Sequence, residues 1–109
     1  MRAAVTPAED ILRNHSDAIR NLCARLRVQK LEVFGSAVTA RFDPARSDFD
    51  FLFEFQDMNA PDVGRRFLQL LEGLRAVLGA DVDLVDATAI ENPYFLRKVN
   101  TQRRVLYAA

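Results

Sequence analysis

The stretch SDFDFLFEF, residues 47–55, decides the fold because its phenylalanines alternate with other residue types. Successive side chains of a β-strand point to opposite faces, so the four phenylalanines line one face. Asp48, Asp50, Leu52 and Glu54 line the other face. Four aromatic side chains would bury roughly 600–1,000 Å² if fully covered, so we expect helices to pack on the phenylalanine face. The sequence therefore predicts that Asp48 and Asp50 lie on the opposite, open face of a sheet.

The two aspartates form a repulsive pair. On one face of a strand their Cα atoms would lie roughly 6.5 Å apart. Two like charges near that separation repel by about 1–3 kcal/mol, depending on the effective dielectric. A bound divalent cation would turn this repulsion into attraction, and Mg²⁺ favours carboxylates combined with substrate phosphates. Asp48 and Asp50 are therefore candidate metal ligands.

A glycine–serine turn precedes the acidic pair. A strand predicted over residues 28–34 ends at Gly35-Ser36, and residues 37–40 can begin a short helix. Such a turn offers unpaired backbone N–H groups and the Ser36 hydroxyl to phosphate oxygens. Each feature alone has a plainer interpretation, as an ordinary turn or as a solvated strand edge. Together, on adjacent elements, they indicate a metal-dependent nucleotide site.

A third acid stands in another apolar segment. Asp83 lies between Val82 and Leu84 in a short predicted strand, and a buried carboxylate is costly unless it is paired or bound to metal. If this strand lies beside residues 49–55, Asp83 can join the acidic pair. The alternative is that Asp83 faces solvent at a sheet edge.

The remaining periodicity predicts the other elements. One helix runs from about residue 6 to residue 26, and a second covers residues 63–78. Residues 92–99 form a final predicted helix, and residues 105–107 a last short strand. The predicted fold class is α/β (α+β), a small mixed β-sheet with helices packed mainly on one face.

The composition limits the class of protein. The chain has 109 residues, a length that predicts a single domain over residues 1–109. Its 15 basic and 15 acidic residues cancel, which argues against the basic stripe of a nucleic-acid binder. A single cysteine, Cys23, excludes an internal disulfide and is interpreted as a core or boundary residue. No apolar run approaches the roughly 20 residues of a membrane span, and no signal peptide is visible. We therefore expect a cytoplasmic protein without membrane contact or direct nucleic-acid binding.

The spacing of these motifs resembles a known family. Gly35-Ser36, eleven further residues, Asp48-Phe49-Asp50 and a later Val82-Asp83-Leu84-Val85 resemble the minimal nucleotidyltransferases of the DNA polymerase β superfamily. The resemblance covers most of the chain, from about Leu31 to the strand at residues 105–107, and implies the polymerase β-like palm fold.

The resemblance also implies roles for individual residues. Asp48 and Asp50 would hold Mg²⁺, and Gly35 and Ser36 would hold the triphosphate of ATP. Asp83 would be a third metal ligand, close to the attacking hydroxyl and able to help deprotonate it. The implied reaction is in-line attack on the α-phosphorus, which transfers AMP and releases pyrophosphate.

The chain departs from the family pattern after the turn. Relatives often carry arginines soon after the Gly-Ser pair, whereas the first basic residue here is Arg41. Arg41 is a candidate nucleotide-binding residue that would reach the triphosphate from the loop. A solvated loop cation is the alternative.

The short chain has little room for a second substrate pocket. Minimal members of the family resemble antitoxins paired with HEPN-type ribonuclease toxins, and some adenylylate a tyrosine of the toxin. The toxin signature is an arginine followed a few residues later by a histidine. This chain lacks it, because residues 8–11, where that arginine would be expected before the single His15, contain none. We therefore predict the antitoxin half of a hetero-oligomer with a HEPN-type toxin. Tyr94 and Phe95 are candidate partner-facing residues, and core packing is the alternative for at least one of them.

Two other functions stay open at this point. The chain can be a non-catalytic or weakly catalytic antitoxin that neutralises its partner by steric binding, for which the absent early arginines argue. Transfer of a nucleotide to a small hydroxylated molecule such as an aminoglycoside is the other possibility, and the missing acceptor domain argues against it.

Overall fold

The computed structural model describes residues 7–35, 48–89 and 103–109, and its strands form one mixed sheet. In chain order the elements are α1 (Pro7–Asn14), α2 (Ser16–Arg25), β1 (Val28–Phe34), β2 (Phe49–Phe55), α3 (Val63–Leu78), β3 (Val82–Asp86) and β4 (Arg103–Ala108). The strands lie in the order β3-β2-β1-β4. β1 is antiparallel to β2 and β4, whereas β2 and β3 are parallel and are connected through α3. The predicted fold class is confirmed; the helices predicted at residues 37–40 and 92–99 lie outside the described residues.

The phenylalanine face of β2 is buried, as its alternation predicts. All four rings are at most 4% exposed. They belong to one core cluster with apolar side chains of α2 and α3, of which the most buried are Ile19, Cys23, Leu70 and Leu74. The helices therefore lie on one face of the sheet and leave the face of Asp50 to other contacts.

The first predicted helix is divided in two. α1 ends at Asn14 and α2 begins at Ser16, with His15 between them at φ −110° and ψ 14°. The His15 amide still donates to the Ile11 carbonyl and its carbonyl still accepts from Ile19 N–H, so the hydrogen-bond ladder passes through the break. Asn, His and Ser are weak helix formers, which explains an interruption that apolar spacing does not reveal.

Within the described residues, none of the helices has the length and apolar character of a membrane span.

The face opposite the helices is only partly exposed to solvent. The sequence predicted an open face there, and that prediction was wrong for the part of the face that Leu52 and Phe34 occupy. Leu52 is 1% exposed and packs with Phe34 in a second cluster, which Val85 and Ala87 adjoin. Alternation places a side chain on a face but does not say what covers it there. The acidic residues therefore border a small apolar cluster rather than a bare sheet surface.

Arg66 is a buried cation of α3 that the sequence did not single out. It is 3% exposed, and its guanidinium donates to the carbonyls of Leu26, Gln56 and Asp57 at 3.0–3.3 Å. The guanidinium carbon also lies 4.6 Å from the centroid of the Phe55 ring. Arg66 therefore ties α3 to the chain segments at the end of the sheet far from Asp50.

Replacing Arg66 with Met should lower the free energy of unfolding by about 2 kcal/mol, because the backbone carbonyls lose a charged donor. Arg65→Met is the matched control, since Arg65 is the exposed neighbour on the same helix. Urea denaturation of both variants checks the prediction. Equal midpoints for the two variants would show that Arg66 does not anchor α3.

Cys23 is a core residue, in agreement with its interpretation from the sequence. Burial raises the pKa of its thiol from 9.0 to about 12. The raised pKa means that the folded state favours the protonated thiol, so this contribution to stability is complete below pH 9.0 and is lost as the pH rises towards about 12. Thiolate is the reactive form, and the folded protein should present almost none near neutral pH.

We therefore expect Cys23 to resist iodoacetamide at about pH 8 in the folded protein and to react fully in denaturant. Ala18→Cys gives the comparison, because residue 18 is exposed on the same helix. Mass spectrometry should show one modification of that folded variant, at residue 18. Rapid native labelling of Cys23 itself would contradict its burial.

Candidate active site

Asp50 and Asp83 are neighbours across the sheet. In the register of the parallel strands, Asp50 of β2 is level with Asp83 of β3. Neighbouring strands lie about 4.8 Å apart, and residues level with each other project from the same face. The condition under which Asp83 can join Asp50, that their strands are neighbours, is therefore met. Asp83 is also exposed on an outer strand of the described sheet, so its position alone fits either interpretation of its role.

Gly35, the first residue of the predicted turn, lies against Asp50. It follows β1 directly and has φ +73°, a left-handed conformation that favours glycine. A Cβ built on Gly35 would lie 2.5 Å from Oδ2 and 3.3 Å from Cγ of Asp50. The carboxylate of Asp50 therefore rests against the backbone of the turn, and only a residue without a side chain allows this approach.

Asp48 lies just before β2 and is exposed, whereas Asp50 is half-buried. The intervening Phe49 donates its N–H to the Asp81 carbonyl at 3.0 Å, which fixes the start of β2 against the start of β3. Ring burial of Phe49 on the helix side holds the strand in this orientation. Asp50 is thus carried by a strand whose direction is set by the core, and Asp48 directly precedes that strand.

Ser36 and Arg41, predicted to bind the nucleotide, lie outside the described residues, as do Tyr94 and Phe95.

The three aspartates are not drawn together as a set of metal ligands. Among residues 7–35, 48–89 and 103–109, no group of three or more His, Cys, Asp or Glu side chains is placed to hold a metal ion. The chemistry of the available donors does fit Mg²⁺, because it prefers carboxylate oxygens and keeps several waters. The carboxylate of Asp50 beside the glycine turn is the donor with the most defined position.

Two charged residues on this face were missed from the sequence. Glu32 of β1 is 5% exposed, and its Oε2 lies 3.2 Å from Nε of Arg103, the first residue of β4. The other carboxylate oxygen of Glu32, Oε1, lies 3.7 Å from Nζ of Lys30. The alternation of β1 places Glu32 on the face of Leu52, but only the pairing of β1 with β4 shows that a cation reaches it.

This arrangement defines a class of enzyme. Carboxylates that adjoin a glycine turn at one end of a sheet suit the transfer of a phosphoryl or nucleotidyl group, because they can hold the cation that neutralises the phosphates. The described fold, with the Asp50 carboxylate beside Gly35, therefore fits a nucleotidyltransferase.

Comparison with known proteins identifies the family. The family model described as "Nucleotidyltransferase domain" matches residues 15–107. A protein of Methanocaldococcus jannaschii, provisionally named protein adenylyltransferase MJ1379, is 31% identical over 91 residues, which cover 84% of this chain and 86% of the relative. The chain belongs to the nucleotidyltransferase domain family, and the enzyme class predicted from the sequence is confirmed.

Solved structures agree with this family. A structure described as a minimal nucleotidyltransferase superposes with a TM-score of 0.70 at 26% identity, covering 87% of this chain and 92% of that one. A chain of a toxin–antitoxin complex with AMP-PNP gives 0.64 at 25% identity and 86% and 73% coverage. A chain from the complex of a tri-AMPylated Shewanella oneidensis HEPN toxin with an MNT antitoxin has the same fold, with a TM-score of 0.60, 23% identity and 89% and 72% coverage.

Proposed function

We propose that this chain is an Mg²⁺-dependent adenylyltransferase that transfers AMP from ATP to a hydroxyl group of a partner HEPN-type toxin. The contact between the Asp50 carboxylate and Gly35 carries the proposal, because it brings one of the predicted metal ligands against the first residue of the turn predicted to hold phosphate. The names of the relatives add support, since one is an adenylyltransferase and others come from toxin–antitoxin complexes. A tyrosine is the proposed acceptor, and the chain acts as the antitoxin in a cytoplasmic hetero-oligomer.

Two groups of residues take part in the proposed reaction, one binding the metal ion and the other binding the triphosphate. Asp48 and Asp50 would hold Mg²⁺, with Asp83 as the third ligand, and the ion would neutralise charge on the phosphates. Gly35 and Ser36 hold the triphosphate by backbone N–H groups and the hydroxyl, and Arg41 adds charge from the loop.

The acceptor oxygen attacks the α-phosphorus in line with the leaving group. The bond from that phosphorus to the bridging oxygen breaks, and pyrophosphate leaves with the bonding electrons. The acceptor proton passes to the carboxylate of Asp83, which the register places beside Asp50.

A purely steric antitoxin is the second candidate. The observation that favours it is the lack of a preassembled three-ligand group among the described residues. In that case the chain would neutralise its partner by covering it, and the nucleotide site would be vestigial.

Isotope position in ATP separates AMP transfer from other reactions. The wild-type chain, its co-purified partner protein, Mg²⁺ and ATP labelled at the α-phosphorus should give a labelled partner. ATP labelled at the γ-phosphorus should leave the partner unlabelled, because that phosphorus departs in pyrophosphate. Label from the γ-position alone would indicate a kinase, and no label from either would contradict the proposed transfer.

A further inference from the structure

A row of residues crosses the sheet at the end that carries the site. Arg103 of β4 is level with Phe34 of β1, which is level with Asp50 of β2, which in turn is level with Asp83 of β3. Residues that are level in a sheet project from one face, so Arg103 shares the face of the two carboxylates. Phe34 immediately precedes Gly35, which places Arg103 beside the strand end that enters the turn.

The guanidinium of Arg103 is held on this face without being enclosed. Its Nε lies 3.2 Å from Oε2 of Glu32, and 40% of the arginine side chain is exposed, compared with 6% of the glutamate side chain. The carboxylate can therefore orient the guanidinium through Nε and leave its other N–H donors available to a ligand. Arginine suits phosphate particularly well, because its planar fork can donate two parallel hydrogen bonds.

We propose that Arg103 binds the triphosphate of the nucleotide and that Glu32 is the positioning residue that holds it in place. This inference rests on the proposed function and adds a cation from β4 to the side of the turn. It also accounts for the departure from the family pattern, since the charge absent just after the Gly-Ser pair is supplied from the neighbouring strand.

A structural role alone is the competing explanation, in which Arg103 serves only to neutralise the buried Glu32. The double variant Glu32→Gln/Arg103→Gln separates the two, because it leaves no unpaired buried charge and keeps two groups able to hydrogen-bond. Arg104→Gln is the matched control. Arg104 is the next residue of β4, lies on the helix side and has Nε 3.5 Å from Oε1 of Glu9.

Calorimetric titration with ATP and with AMP, each with Mg²⁺, tests the inference. We expect Arg103→Gln to weaken ATP binding by about tenfold to hundredfold, as for loss of a charged hydrogen bond, and to leave AMP binding within about twofold. The double variant should bind ATP as weakly as Arg103→Gln does, and Arg104→Gln should bind ATP with the affinity of the wild type. Recovery of ATP binding in the double variant, or unchanged binding by Arg103→Gln, would overturn the role of Arg103 alone. A wild-type chain that does not bind ATP would overturn the proposed function and this inference with it.

Discussion

Asp50→Asn should reduce AMP transfer to the partner by about 100- to 10,000-fold, because loss of a metal-binding charge removes several kcal/mol of transition-state stabilisation. The substitution keeps the shape of the side chain beside Gly35, so the fold should be retained. Glu54→Gln is the matched control, since Glu54 lies further along β2 on the same face and is level with Lys30. Initial rates with ATP labelled at the α-phosphorus measure the effect.

Asp50→Asn also distinguishes a catalytic antitoxin from a purely steric one. If neutralisation requires transfer, cells that carry the toxin should be protected by the wild type and by Glu54→Gln but not by Asp50→Asn. Full protection by Asp50→Asn, with transfer abolished, would support the steric antitoxin instead.

Gly35→Ala should lower the free energy of unfolding by about 2–5 kcal/mol and also impair transfer. Two costs add: a left-handed conformation costs an alanine about 1–2 kcal/mol, and overpacking typically costs about 1–3 kcal/mol. The overpacking arises because the new Cβ would lie 2.5 Å from Oδ2 of Asp50. Since that carboxylate must then move, the substitution should also impair the proposed AMP transfer and not only lower stability.

Two other glycines separate these costs. Gly79 has φ +62° and Gly64 has no positive φ, and a Cβ at either position would meet nothing within 4 Å. Gly79→Ala should therefore show the backbone cost alone, and Gly64→Ala should be neutral or slightly stabilising because it lies in a helix. Both should transfer AMP normally. Transfer by Gly35→Ala at the rate of Gly79→Ala would contradict the contact with Asp50.

Local patterns predicted the framework of this fold. β2 and α3 have the predicted bounds, and Gly79 ends α3 in a left-handed conformation, because alternation, helical periodicity and a terminal glycine are all read within one segment. Asp83 stood out within its own segment as an acid between apolar residues, but only the pairing of β3 with β2 places it level with Asp50.

The burial of Glu32 and Arg66 depends on contacts between distant segments and could not be predicted from the sequence. Glu32 alternates like a solvent-facing residue, yet it is buried because Leu52 and Val105 flank it on neighbouring strands. Arg66 resembles an ordinary helix-surface arginine until the carbonyls of distant segments surround it. Such residues are defined by contacts between segments, which no periodicity within one segment encodes.

The intact mass of the co-purified partner tests the central claim most directly. After incubation with ATP and Mg²⁺, the wild-type chain should raise that mass by one AMP unit or a whole multiple of it. The double variant Asp48→Asn/Asp50→Asn should leave the mass unchanged while it still binds the partner. An unchanged partner mass with the wild-type chain, or an equal increase with the double variant, would contradict adenylylation by this site.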